Sequence, residues 1–155
     1  MTPTVAQFWA QFCAACGADR TGPFHEAFHF DDNEASANEL AALVLAGTKR
    51  ATASLAWLYE SPAHPAPSPG ALSVVTDWGG KPLCIIETQA VEITPFDQVT
   101  DEFAATEGEG DGSLEYWRRV HWAFFGRDCA RIGRERSADM PVLCERFRVV
   151  YRPVP

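Results

Sequence analysis

The chain has 155 residues, 46% hydrophobic and 12% aromatic, a composition that suits one compact domain with a real core and excludes a disordered segment. Lysines and arginines number 13 against 21 acids, a formal net charge of −8. That balance excludes a broad, sequence-blind grip on nucleic acid, which needs many phosphate contacts, while a local basic pocket for one nucleotide stays open.

No apolar run approaches the roughly 18 residues of a membrane span, and Met1-Thr2-Pro3-Thr4 lacks the basic start of a secretory signal. The five cysteines, Cys13, Cys16, Cys84, Cys129 and Cys144, are odd in number and mostly sit in apolar runs. Free thiols in a reducing cytoplasm are the expectation.

In chain order, Val5, Phe8, Trp9, Phe12, Cys13 and Cys16 form a helical stripe that Gly17 ends. Residues 18–33 read as loop, and Asp31-Asp32-Asn33-Glu34 supplies a cap and negative charge for a second helix over about 35–46. Gly47 stops that helix, and Lys49, Arg50, Thr52 and Ser54 follow at once. After the short aromatic run Trp57-Leu58-Tyr59, a proline-rich loop covers 61–70. Leu72–Asp77 is a strand, Trp78-Gly79-Gly80-Lys81 a hairpin turn, and Leu83–Ile93 the returning strand. Asp97–Ala105 reads as helical, and Ser113 caps a strongly aromatic helix to Phe125. Residues 126–140 have no clear pattern, and Val142–Arg152 closes the chain as a strand. Without regular βαβ alternation the order predicts an α+β fold on a mainly antiparallel sheet, curled into a small barrel.

Two stretches carry chemistry. In the first, a threonine hydroxyl becomes a nucleophile only when a base takes its proton. Lysine is that base only when burial or nearby positive charge lowers its pKa, and Arg50 would supply the charge. Lys49 and Thr52 share a face on an irregular exit from Gly47 but not on a regular strand. The competing reading is a surface lysine beside a threonine bonded to its own backbone. In the second stretch Glu107, Glu109 and Asp111 alternate with Gly108 and Gly110, which permit close backbone approach, and His121 follows on the aromatic helix face. Glu107 would protonate a leaving amine or orient the attacked amide. These acids also suit a metal, although an EF-hand's spacing is absent, or simply the N-terminus of the next helix. Cys13-x-x-Cys16 ahead of His25-x-x-x-His29 has a zinc-like look, but the cysteines lie within an apolar helix stripe and the gap is short for a finger.

The stretches Gly47-Thr48-Lys49-Arg50-Ala51-Thr52-Ala53-Ser54-Leu55, Val74-Val75-Thr76-Asp77, Phe103-Ala104-x-x-Glu107-Gly108-Glu109-Gly110-Asp111, Trp117-Arg118-x-x-His121 and Glu145-Arg146-Phe147 together resemble the ASCH domain family. The resemblance implies a PUA-like antiparallel or mixed β-barrel flanked by helices, as one domain over 1–155 with an N-terminal helical extension over about 1–37. The chain departs from the family pattern at Ala71 and at His29. Some members hydrolyse the acyl amide of N4-acetylcytidine with a lysine, threonine and glutamate, which match Lys49, Thr52 and Glu107. Longer members are linked to RNA binding and cleavage, for which Lys49, Arg50, Arg118 and Arg119 are the local candidates here.

The expectation is a cytoplasmic amidohydrolase acting on N4-acylated cytosine nucleosides without metal or cofactor. An RNA-binding or RNA-cleaving module is the alternative, and no membrane partner is expected. Lys49, Thr52 and Glu107 are the expected catalytic set. Arg50, Ser54, Asp77, Glu109, Asp111, Trp117 and His121 are expected to bind and orient substrate.

Overall fold

The computed structural model describes residues 2–17 and 22–153. Helix α1 (Val5–Cys16) starts at a reciprocal cap, in which the Thr4 side chain accepts from the Gln7 amide and the Gln7 side chain accepts from that of Thr4. Gly17 ends it at φ 78°. Strand β1 (Phe24–Phe28) lies inside the stretch expected to be loop, of which 18–21 fall outside the described residues. His25 and Glu26 obscure its alternation, and it forms because β3 (Leu72–Thr76) offers a parallel partner.

Helix α2 (Glu34–Leu45) is capped by Asn33, which accepts from the Ser36 amide. Strand β2 (Ala51–Leu55) follows, then a 3-10 turn over Ala56–Tyr59. Beyond β3 come β4 (Pro82–Pro95), α3 (Asp101–Glu107), α4 (Leu114–Ile132) and β5 (Pro141–Tyr151). Helix α4 runs two turns past the expected Phe125, until Gly133 caps it at φ 72°. No helix among the described residues is long and apolar enough to cross a membrane.

The five strands lie in the order β1-β3-β4-β5-β2, with β1–β3 parallel and the other three pairings antiparallel. The helix-flanked α+β arrangement stands, but the expected barrel does not. The sheet is open, because the edge strands β1 and β2 make no hydrogen-bonded ladder with each other. Instead His25, Glu26 and Phe28 of β1 and Thr52 and Ser54 of β2 line one cavity with side chains from α4. Polar side chains and empty space stand where ladder bonds would have to be.

Every residue of β3 is buried because both its faces are covered. Leu72 and Val74, with Ile85, pack on Phe8 and Phe12 of α1, whereas Val75, with Cys84 and Ile86, packs on Ala41 and Val44 of α2. A third cluster joins Ala51, Ala53 and Leu55 of β2 to Phe103 of α3 and Trp117 and Phe125 of α4. Cys13 and Cys16 are part of the packing under α1 and are free thiols, as are the other three cysteines. Neither cysteine joins a group of metal-competent side chains among the described residues.

Candidate active site

Gly47, at φ 80°, turns the chain out of α2. The amides of Thr48 and Lys49 both donate to Leu43 O at 3.0 and 3.1 Å, which pins the exit to the helix's last turn. Lys49 therefore sits in an irregular segment ahead of β2 and points inward, with 1% of its surface exposed. Its ammonium donates to Ala51 O at 2.7 Å, to Glu109 Oε2 at 2.7 Å and to Glu107 Oε1 at 3.4 Å. A lysine has three N–H donors, and all three are engaged.

The opposing acids hang from the end of α3. Gly108 leaves that helix at φ 66° and passes so close to Thr48 that a Cβ would meet Thr48 O at 2.3 Å. The close approach sets Glu107 and Glu109 on either side of the Lys49 ammonium. Gly108→Ala is expected to lower stability by about 2 kcal/mol or more in a denaturant titration, from the left-handed backbone plus the clash. Gly133→Ala, with a similar φ of 72° and nothing within 4 Å, should lose only the backbone part.

Glu107 is fully buried and is held from every side. The Trp117 indole donates to its Oε2, and His121 Nε2 lies 3.3 Å from the same oxygen. His121 Nδ1 is 2.8 Å from Trp117 O. A carbonyl only accepts, so Nδ1 carries a proton and Nε2 is the nitrogen that faces the carboxyl. Burial is the largest influence on Glu107 and raises its pKa, and Glu109 adds to it, against the lowering pull of Lys49, His121 and the indole. For Glu109 burial also acts upward, but Lys49 and His121 outweigh it and hold the pKa below the ordinary value. Burial of Lys49 acts downward and is overcome by the two carboxylates, so its pKa is raised. The Lys49 ammonium thus sits between one acid whose pKa is held below the ordinary value, Glu109, and one whose pKa is raised above it, Glu107.

The cavity in front of this cluster measures ≈ 200 Å³ and is lined by Lys49, Thr52, Ser54, Glu109 and His121 of the expected set. Glu107 and Trp117 are not among its lining residues and lie behind that wall. Thr52 projects from β2 on the face opposite Ala51 and Ala53, directly across from Glu145 on β5. Its hydroxyl has no hydrogen-bond partner among the described residues, Lys49 included. The Ser54 hydroxyl accepts from Tyr59 OH at 2.9 Å.

Three expected residues stand elsewhere. Arg50 is exposed, with its side-chain charge near Glu102, and is not among the main influences on Lys49. Asp77 holds the β3–β4 hairpin by accepting from the Lys81 amide at 2.8 Å. Asp111 is exposed and its pKa is lowered by hydrogen bonding with the Ser113 side chain and with the Ser113 amide, from which it accepts at 2.9 Å.

The cavity also recruits residues that periodicity passed over: Glu145, Asp128, Tyr59, His25 and Glu26. Glu145 is 8% exposed, accepts from Thr88 Oγ1 at 2.7 Å, and is raised in pKa by burial. A signal existed, since Glu145 falls in the same strand phase as the buried Leu143 and Phe147. Asp128 lies one helical turn beyond Phe124 in the part of α4 that had no clear pattern.

The ASCH domain family model matches residues 26–151, a span that holds the whole cluster. The chain belongs to the ASCH domain family. It is 40% identical to the ASCH domain from Lactobacillus crispatus JV V101, whose crystal structure aligns with a TM-score of 0.87 over 94% of this chain and 92% of that one. A crystallised protein from Enterococcus faecalis V583 is 33% identical, with a TM-score of 0.84 over 94% and 87% of the two chains. No curated protein matches it significantly. Within this ASCH domain, Glu107, Glu109 and His121 bring ligand-type atoms within 4.8 Å of one another. The Lys49 ammonium is bonded to both carboxylates, so a divalent ion there would have to displace it.

Proposed function

We propose that this ASCH domain is a hydrolase that removes the acyl group from N4-acetylcytidine or a related N4-acylated cytosine nucleoside, with no metal. The observation that carries the reading is the cavity wall, where a buried lysine, an unengaged threonine hydroxyl and a carboxylate stand together. The charge of the cavity supports an uncharged substrate. Lys49 is the one lysine or arginine among the described lining residues, against Glu26, Asp31, Glu109, Asp128 and Glu145. A phosphate chain would meet repulsion there, whereas an amide and hydroxyl groups would not. The basic patch drawn for RNA is also divided, since Lys49 is buried while Arg50, Arg118 and Arg119 are exposed.

In the proposed mechanism Lys49, whose raised pKa keeps it an ammonium at rest, becomes a base by passing a proton to Glu107, whose own raised pKa favours holding it. The neutral amine then accepts the Thr52 proton, and the Thr52 oxygen bonds to the acyl carbon. Collapse of the adduct breaks the carbon–N4 bond as Lys49 returns the proton to the leaving amine. Water then gives a proton to the same lysine as its oxygen bonds to the acyl carbon, the ester bond breaks, and Lys49 passes that proton to the departing Thr52 oxygen, which restores the hydroxyl and releases the carboxylic acid. Glu107 acts from behind Lys49 and sets its protonation, in place of the contact with the leaving amine or the attacked amide expected from the sequence. Glu109 stays ionised and orients the lysine.

Incubating EDTA-treated protein with N4-acetylcytidine, and following cytidine by chromatography, is expected to show turnover equal to that of untreated protein. Absent turnover, together with cleavage of single-stranded RNA by the same preparation, would put the ribonuclease reading first.

A further inference from the structure

Among the described residues two buried side-chain atoms lack a hydrogen-bond partner, His25 Nε2 and Asp128 Oδ2. Buried polar atoms are ordinarily paired, so each orphan calls for an explanation. Both of these residues line the same cavity. Asp128 is 2% exposed, and its other oxygen, Oδ1, is bonded to the Arg131 guanidinium. Oδ2 is thus an acceptor with nothing to accept from. His25 Nε2 comes within 3.4 Å of Glu26 Oε2 without hydrogen-bond geometry.

Helix α4 sets the spacing between these atoms and the reactive cluster. His121, Phe124 and Asp128 share its cavity-facing side. His121 stands against Glu107, and Asp128 lies two turns further, roughly 10 Å along the axis at ~1.5 Å per residue. The Phe124 ring falls between them, as an apolar surface for a planar base. A ligand with its reacting amide beside Lys49 and a planar ring over Phe124 brings whatever it carries beyond that ring to Asp128.

We propose that Asp128 is a sugar-recognition residue whose free oxygen accepts a ribose hydroxyl, with His25 of β1 engaging a second hydroxyl, so that the cavity selects nucleosides over free bases. The choice of ribose rests on the nucleoside reading above. The carboxylate and imidazole need only a donor-bearing hydroxyl group, which a sugar supplies and a free base at that distance does not. A hydroxyl given to a charged acceptor that is otherwise left unpaired discriminates strongly against the analogue lacking it.

The test removes the hydroxyls from the ligand before it touches the protein. Calorimetry on the unaltered chain is expected to give cytidine binding about 10- to 100-fold tighter than 2′,3′-dideoxycytidine, the range for a hydrogen bond to a charged group. Asp128→Ala should remove most of that difference and leave the part that His25 supplies, and the isosteric Asp128→Asn, which guards against misfolding, should reduce it. Equal binding of the two ligands by the unaltered chain means that water satisfies both atoms, and overturns the proposal even if N4-acetylcytidine is hydrolysed. Discrimination that depends on Asp128 without any hydrolysis would leave the sugar site standing and remove the amidohydrolase reading.

Discussion

Lys49→Met is expected to lose at least ~10²-fold in kcat and to destabilise the fold by about 3–5 kcal/mol near neutral pH, the range for removing one partner from a buried ion pair. The methionine keeps most of the volume, so the loss is electrostatic. Glu107 and Glu109 would be left side by side in the interior with no cation between them. The pH dependence carries the sign. In the parent chain Glu109 has a lowered pKa, so its contribution is present above the ordinary value of 4.5 and is lost as pH falls through the still lower folded value. Lys49 has a raised pKa, so its contribution is present below 10.5 and is lost as pH rises through the folded value. In Lys49→Met the acid limb should reverse, because protonating either carboxylate relieves the repulsion. Adding Glu109→Gln should recover much of the stability and none of the activity. Urea titrations from pH 4 to 8 that give the same slope for parent and variant would show that Lys49 does not hold this pair together.

Thr52→Ala is expected to lose more activity than any other single change at the cavity wall, because the acyl-enzyme would have no atom to form on. Lys49→Ala and Glu107→Ala should each lose at least ~10²-fold in kcat, the lower range for a general acid or base. Thr52→Ser should retain part of the rate, since serine keeps the hydroxyl. Acid quenching of the parent chain during turnover should reveal an acyl group on Thr52 by peptide mass spectrometry. If Thr52→Ala keeps most of its rate while the lysine and glutamate variants do not, a directly activated water must replace the covalent step. Glu145, directly opposite Thr52 across the β2–β5 ladder, is then the carboxylate to replace next.

The local elements were legible because each rests on chain neighbours. The α1 stripe with its stop at Gly17, the Asn33 cap, the Gly47 exit and the β3–β4 hairpin all follow from residues a few positions apart. The sequence by itself also singled out a lysine, two hydroxyls and an acidic, glycine-spaced turn, from which the structure brings Lys49, Thr52, Ser54 and Glu109 to one cavity. Of the two residues it paired on an irregular exit from Gly47, Lys49 lies in that exit, whereas Thr52 lies on the regular strand β2.

What only the tertiary structure decided depends on distant partners. Strand β1 exists because β3 lies alongside it, and the sheet stays open because a polar cavity occupies the space between its edges. The ranking of the carboxylates was decided in the same way. Glu107 and Glu109 are two residues apart, yet one is sealed behind Lys49 and the other faces the cavity, a difference created by the close pass of Gly108 against Thr48. The protonation of Lys49 reversed the expectation drawn from its neighbour in sequence. Arg50 turns away, and the charges that act on the lysine come from α3 and the turn after it, 58 and 60 positions along the chain. Coulomb forces act through space at a few ångströms, and sequence separation carries no information about them until the chain has folded.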